Sequence, residues 1–292
     1  MAIEKGLNIT RESWNVLRAD FKLLVFPMFS GLAAAAILVT VLAANILIPS
    51  LGEWSIAALR ALSSKDPQQP LAARALGLGC LFVIYFVEWF VVIFFNTALV
   101  GCALRRLAGG QPTVGDGFRI AFQRLPQILA WTLFTSAVGT LLSAIEQQLG
   151  WLGKLAIRLL GVTWAVATYL VVPVLAAEGT GPLTAVRRSV ALLKRTWGEG
   201  LVGHFTIQLL TSGVGILLVV LTTGGLLLAV FMESIIVAVA TGTVLLLGLL
   251  TIAILTSAMR QVFLAALYHY ATTGEIPSGF SESTLRQALK QS

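Results

Sequence analysis

Leu76–Leu104 reads LGLGCLFVIYFVEWFVVIFFNTALVGCAL, an unbroken apolar run whose single charge is Glu88. A helix needs about 20 apolar residues to cross the hydrocarbon core of a bilayer, and an isolated segment in lipid satisfies its backbone only as a helix. The run therefore predicts a membrane-spanning helix, long enough to tilt or to project beyond the bilayer. Working outward, five further runs qualify: Phe21–Ile48, Pro126–Ile145, Leu155–Ala177, Leu201–Val230 and Ile235–Tyr268. Pro27, Pro173, Gly213, Gly215, Gly224 and Gly225 offer places to bend. Residues 201–268 are too few for three full crossings with turns unless one is re-entrant, so six spans are expected.

The whole chain agrees. Of its 292 residues 57% are hydrophobic and 11% charged, against roughly 25% charged in soluble domains. Mean hydropathy is +0.89. This excludes a soluble globular enzyme, a disordered chain and a disulfide-stapled secreted domain. Cys80 and Cys102 lie on one expected helix, roughly 33 Å apart at 1.5 Å rise per residue, too far to pair. The polar first 20 residues lack the form of a cleavable signal peptide. The expected fold is all-α: an amphipathic segment (1–20), a six-helix transmembrane bundle (21–271) and a C-terminal segment (272–292).

Net charge is +7, and its distribution orients the chain. The N-terminal tail, the second and fourth loops and the C-terminal end hold 15 of the 20 Lys and Arg residues; Arg60, Lys65, Arg74, Lys154 and Arg158 are the remainder. The positive-inside rule then places both termini in the cytoplasm, as an even number of spans requires. The basic excess points to anionic lipid rather than to nucleic acid.

The cytoplasmic segments resemble one another. Thr10, Trp14, Leu17, Phe21 and Leu24 recur at helical spacing; so do Phe118, Phe122, Leu125 and Leu129, and Leu183, Val186, Val190, Leu193 and Trp197. Basic residues fill the opposite faces, among them Arg119 and Arg124, then Arg187, Arg188, Lys194 and Arg195. Thr113 and Asp116 have capping-box spacing and Pro182 suits a first helical turn. Asn96–Gln111 aligns without gaps on Arg260–Glu275, with Val171–Pro182 a weaker third version and Ser281–Lys290 a shorter fourth copy of the amphipathic helix. The pattern predicts three repeats of amphipathic helix plus helical hairpin. The basic helices are then either interfacial connectors or a docking surface for a partner or for anionic lipid. The outer loop Pro49–Arg74, with Leu51, Trp54, Ala58 and Leu62 at helical spacing, reads as an interfacial cap or a partner-binding loop.

Glu88 is the one carboxylate deep in a span, and such a group is a functional candidate by default. Tyr85 lies one turn before it and Asn96 eight residues after, on roughly the same face, so the three could line a polar cavity. The plain alternative is a protonated Glu hydrogen-bonded inside the bundle. Arg260 reads as a snorkelling side chain; its alignment with Asn96 argues against an ion pair with Glu88. The Ser and Thr residues inside the third and fifth spans fit interhelical packing, with a polar pore as the alternative. His204 and His269 with two distant cysteines make no metal site, and nothing calls for a cofactor. No Walker A, HExxH, GxSxG or EF-hand pattern occurs. Most tryptophans fall near span ends, as an aromatic belt would place them; Trp89 is the exception.

Phe94–Phe118 (FFNTALVGCALRRLAGGQPTVGDGF) and Thr168–Glu199 (TYLVVPVLAAEGTGPLTAVRRSVALLKRTWGE) resemble an uncharacterised family of prokaryotic six-helix integral membrane proteins. They are more distantly similar to the membrane domain of glycerophosphodiester phosphodiesterases, whose chemistry resides in a separate catalytic domain that this chain is too short to contain. The resemblance implies the fold and the multi-pass topology and supplies no activity to carry over. The expectation is a non-enzymatic protein that scaffolds, stabilises or recruits a partner; the alternative is a small-molecule or lipid transporter with a polar cavity near Glu88.

Overall fold

The computed structural model describes residues 2–48, 50, 53, 56–57, 71–195 and 197–280. The outer-loop segment around Leu51 and Trp54 and the Ser281–Lys290 copy lie outside the described residues. Among those described there is no strand. The helices are α1 (Ala2–Ala19), α2 (Val25–Leu47), α3 (Leu71–Leu107), α4 (Val114–Gln123), α5 (Leu125–Gln148), α6 (Trp151–Ala167), α7 (Val171–Glu178), α8 (Pro182–Arg195), α9 (Trp197–Phe231) and α10 (Ile235–Thr273), with a 3-10 turn over Phe21–Leu24.

Six stretches are long and apolar enough to cross a membrane: Phe21–Leu47, Ala75–Leu107, Leu125–Glu146, Trp151–Glu178, Ser212–Phe231 and Ile235–Thr273. No third crossing is folded between α9 and α10. Met232 and Glu233 turn the chain, and Ser234 caps α10 by accepting from the Val237 N–H. The glycines of α9 do not break it. Pro27 and Pro173 each stand in the first turn of a helix, α2 and α7, where a missing N–H costs nothing.

The chain divides into two compact units. The first comprises residues 1–28, 99–117 and 192–292, the second residues 29–98 and 118–191. In the first, α1 packs on α9 and α10, which form a hairpin. Glycines bring the hairpin close: a Cβ on Gly225 would meet Thr241 at 2.8 Å, and one on Gly248 would meet Leu218 at 2.5 Å. Small residues at such contacts let helix backbones approach where lipid removes the hydrophobic drive to associate. Residues Ala258–Tyr268 of α10 are largely buried, whereas Val239, Leu246 and Leu250 are exposed, as lipid-facing side chains are. In the second unit, Phe82, Phe86, Phe90 and Phe94 form a ladder of rings up α3, at centroid spacings of 6.1 to 6.4 Å. Its last ring also meets Phe118 and Phe122 of α4. Trp131 is buried, its ring parallel to that of Trp164.

The amphipathic helices are present, but their packed faces differ from the expected stripes. In the N-terminal stripe Phe21 is 56% exposed, and Leu23 and Phe26 are buried in its stead. Asp20 leaves the helical region (φ −145°, ψ 78°) and the following 3-10 turn resets the register. On α4 the buried residues are Gly117, Ile120 and Ala121, while Phe122 is 62% exposed. On α8 they are Ala185, Ser189, Leu192 and Leu193, while Leu183 is exposed. In both helices the packed face mixes small residues with some large ones, Ile120 on α4 and Leu192 and Leu193 on α8, while Phe122 and Leu183 are left outside.

Candidate functional site

The polar residues concentrate where spans end, and their first task is to satisfy the chain. A helix leaves its last carbonyls without intrahelical partners. Each of three span exits closes on a left-handed glycine, Gly109 after α3 (φ 87°), Gly179 after α7 (φ 62°) and Gly274 after α10 (φ 73°). This conformation is open to glycine at little cost and closes helices by returning N–H groups to the last turn.

In the first unit the exit of α3 is tied to the start of α4. The Thr113 N–H donates to Asp116 Oδ2 at 3.0 Å and the Asp116 N–H to Thr113 Oγ1 at 3.2 Å. The expected Thr113–Asp116 pairing is thus realised in both directions. Arg105 adds an ion pair to Asp116 Oδ1 at 2.9 Å, and the Cys102 thiol donates to the Thr113 carbonyl at 3.4 Å. Gly117 lies against Cys102 and Phe26 so closely that a Cβ would overlap both. Both cysteines are free thiols.

In the second unit a comparable knot holds α7. The α6–α7 break at Thr168–Leu170 frees the Leu170 N–H, which donates to Ser189 Oγ of α8 at 3.0 Å. At the other end Arg124 donates to the carbonyls of Ala176 (3.4 Å) and Ala177 (3.1 Å). Its guanidinium lies so close to Gly179 that any side chain there would overlap it. Arg188 pairs with Glu178 at 2.9 Å. Irregular backbone at membrane depth is tolerated where side chains satisfy it in this way.

The six basic residues expected to face lipid or a partner therefore separate. Arg119, Arg187 and Lys194 are exposed. Arg124 and Arg188 are half-buried and hold the chain's own carbonyls and carboxylate. The side chain of Arg195 lies outside the described residues. Periodicity placed Arg124 and Arg188 on a polar face but carried no sign that an unwound helix end lay within reach.

Glu88 is exposed on α3 beside the exposed Trp89. No hydrogen bond or ion pair joins it to another described residue. Tyr85 is half-buried, 3.9 Å from where a Cβ on Gly139 would stand, and Asn96 is half-buried. The structure gives the three no mutual hydrogen bond. Arg260 is exposed. Among the described residues no group of three or more His, Cys, Asp or Glu is placed to hold a metal.

One residue that the sequence counted only as charge occupies a distinct setting. Arg106, in the last turn of α3, lines a cavity of about 260 Å³ together with Asn15, Val16 and Ala19 of α1 and Ser278 and Gly279. The segment after α10 is moored there by the Ser278 N–H and hydroxyl, both donating to the Leu107 carbonyl.

The model of a family described as "Family of unknown function (DUF6159)" matches residues 75–280. That is well over half of the chain, which belongs to this family. No curated protein matches the chain. The uncharacterised-family part of the resemblance thus has a counterpart; the likeness to glycerophosphodiester phosphodiesterases has none.

Proposed function

We propose that the chain is a non-enzymatic inner-membrane protein whose helical bundle recruits or stabilises a partner through the basic helices at the ends of its spans. Both termini lie in the cytoplasm, on the side that carries 15 of the 20 basic residues. The bundle is built from three divergent copies of amphipathic helix plus hairpin. That reading draws support from the left-handed glycine closing each of three span exits, two of which lead within a few residues into a short amphipathic helix, α4 or α8.

The observation that carries the proposal is the division of labour among the arginines. Arg124 and Arg188 fasten α7 to its neighbours, which fixes α8 in place; Arg187 and Lys194 of α8 remain exposed. A basic surface on a rigidly anchored helix suits an acidic segment of a protein partner, with anionic headgroups beneath it.

The test is native mass spectrometry of the full chain extracted from its own membranes, wild type against an Arg187→Gln/Lys194→Gln double variant. A stoichiometric protein partner is expected with wild type. Its affinity should fall about 30-fold in the variant at equal expression, since two charges at about 1 kcal/mol each are lost. The same occupancy in both, or no protein partner with wild type, would refute the assignment.

A further inference from the structure

We propose that the cavity between α1, the end of α3 and residues 278–279 is a binding site for a phosphate-bearing anion. The inference stands on this cavity alone and does not depend on the partner reading.

Charge bookkeeping at the end of α3 leaves one cation over. Arg105 and Arg106 are neighbours, but Arg105 is neutralised by Asp116 at 2.9 Å. Arg106 makes no ion pair with a described residue; its one hydrogen bond among the described residues is a long 3.4 Å contact to the Gly110 carbonyl. The negative end of the helix dipole offers it little compensation, because the carbonyls there already have donors. Leu104 accepts from Ala108, Arg105 from Gly110, Arg106 from Gly109 and Leu107 from Ser278. Among the described residues no Asp or Glu lines the cavity.

The remaining wall adds donors. Asn15 contributes an amide; the Ser278 hydroxyl is already committed to the Leu107 carbonyl. Gly279 runs at φ 93°, where a Cβ would meet Val16 at 2.8 Å; only glycine lets the chain pass this close to α1. The Gly279 N–H has no acceptor among the described residues. Val16 and Ala19 make the wall beside these groups apolar.

A guanidinium fork with further N–H donors suits a tetrahedral oxyanion. The volume of about 260 Å³ exceeds a bare ion's need and falls just short of the roughly 300 Å³ at which pockets for drug-sized ligands begin. A phosphate ester of small size fits this range. Arg106 also stands in the final turn of a span, at the depth of lipid phosphates, so the ester is either a phospholipid headgroup or a free phosphate compound.

The experiment uses the full chain in phosphatidylcholine nanodiscs. Inorganic phosphate and glycerol 3-phosphate are titrated in by calorimetry. In parallel, bound lipid is counted by native mass spectrometry after reconstitution with one-fifth phosphatidylglycerol. Saturable binding of either soluble probe identifies a free phosphate compound; retention of phosphatidylglycerol alone identifies a headgroup. In both cases Arg106→Gln should weaken binding by about 10- to 100-fold, the cost of a lost charge-assisted hydrogen bond, while Arg158→Gln leaves it unchanged. Asn15→Ala, at an exposed position, should weaken it several-fold, and serves if the Arg106 variant misfolds. Binding of none of the probes, or affinity unaltered in a folded Arg106→Gln protein, would overturn the proposal.

Discussion

Gly117→Ala tests whether α4 is docked as described. The glycine sits in the first half of α4, and a Cβ there would stand 2.8 Å from Cys102 Sγ and 2.9 Å from Phe26 Cε1, with Phe26 Cζ closer still. Ordinary carbon contacts begin near 3.5 Å, so ring and thiol must both retreat by about half an ångström or more. Neither has room: Phe26 is 1% exposed and Cys102 2%. Overpacking of this kind costs about 1–3 kcal/mol, and obstruction from two sides argues for the upper end. Alanine's helical advantage over glycine returns less than about 1 kcal/mol, so a net loss of about 2 kcal/mol is expected. Gly115→Ala is the control on the same helix: its nearest neighbour would be Thr113 Oγ1 at 3.7 Å, ordinary contact, so the change should be neutral or stabilising by up to about 1 kcal/mol. Unfolding in mixed micelles, followed by tryptophan fluorescence with increasing dodecyl sulfate, would read both. Combining Gly117→Ala with Phe26→Leu should recover part of the loss, a coupling that contacting residues show and distant ones do not. Equal stabilities for the two single alanine variants, or strict additivity in the pair, would refute the close packing of α4 on Phe26 and Cys102.

The knot around α7 yields two more expectations for the same assay. Ser189→Ala removes the acceptor of the buried Leu170 N–H and should destabilise by about 1–3 kcal/mol, the cost of an orphaned buried donor; a loss below about 0.5 kcal/mol would mean that the α6–α7 break is satisfied otherwise. Arg124→Met keeps the length of the side chain but abandons the carbonyls of Ala176 and Ala177, so about 2 kcal/mol should be lost, whereas Arg187→Gln on the exposed face should change stability by no more than about 0.5 kcal/mol. Similar effects at positions 124 and 187 would contradict the assignment of Arg124 to the helix end.

The spans were legible because their signal is length, and length survives any packing arrangement. Ile235–Tyr268 in sequence became Ile235–Thr273 in structure, and Pro126–Ile145 became Leu125–Glu146. Which face of a helix packs was not legible by the same means. In water, the large apolar residues of a helix mark its buried side. In lipid they gain as much from acyl chains as from protein, so Phe122 and Leu183 stay outside while Gly117, Ala121, Ala185 and Ser189 pack. A stripe read by the soluble rule therefore finds the helix and matches its packed face only in part: Leu17 and Leu193 are buried, Phe122 and Leu183 are not. The register of the N-terminal stripe failed for a different reason, the local break at Asp20.

The same distinction governs the charges. Counting Lys and Arg treats them as equivalent, as the positive-inside rule does, because that rule depends on number and side. It fails for function, because a basic residue near a span end has three different destinations. Arg124 is used up by the carbonyls of an unwound helix end, Arg105 and Arg188 by nearby carboxylates, and only what remains can act on anything outside the chain. Removing the residues that the fold consumes reduces the basic surface of α8 to Arg187 and Lys194 among the described side chains. It also isolates Arg106, which stood in sequence as one half of an Arg-Arg pair. Its difference from Arg105 arises at Asp116, one turn into the next structural segment, where the capping box fixes a carboxylate within reach of one arginine and not of the other.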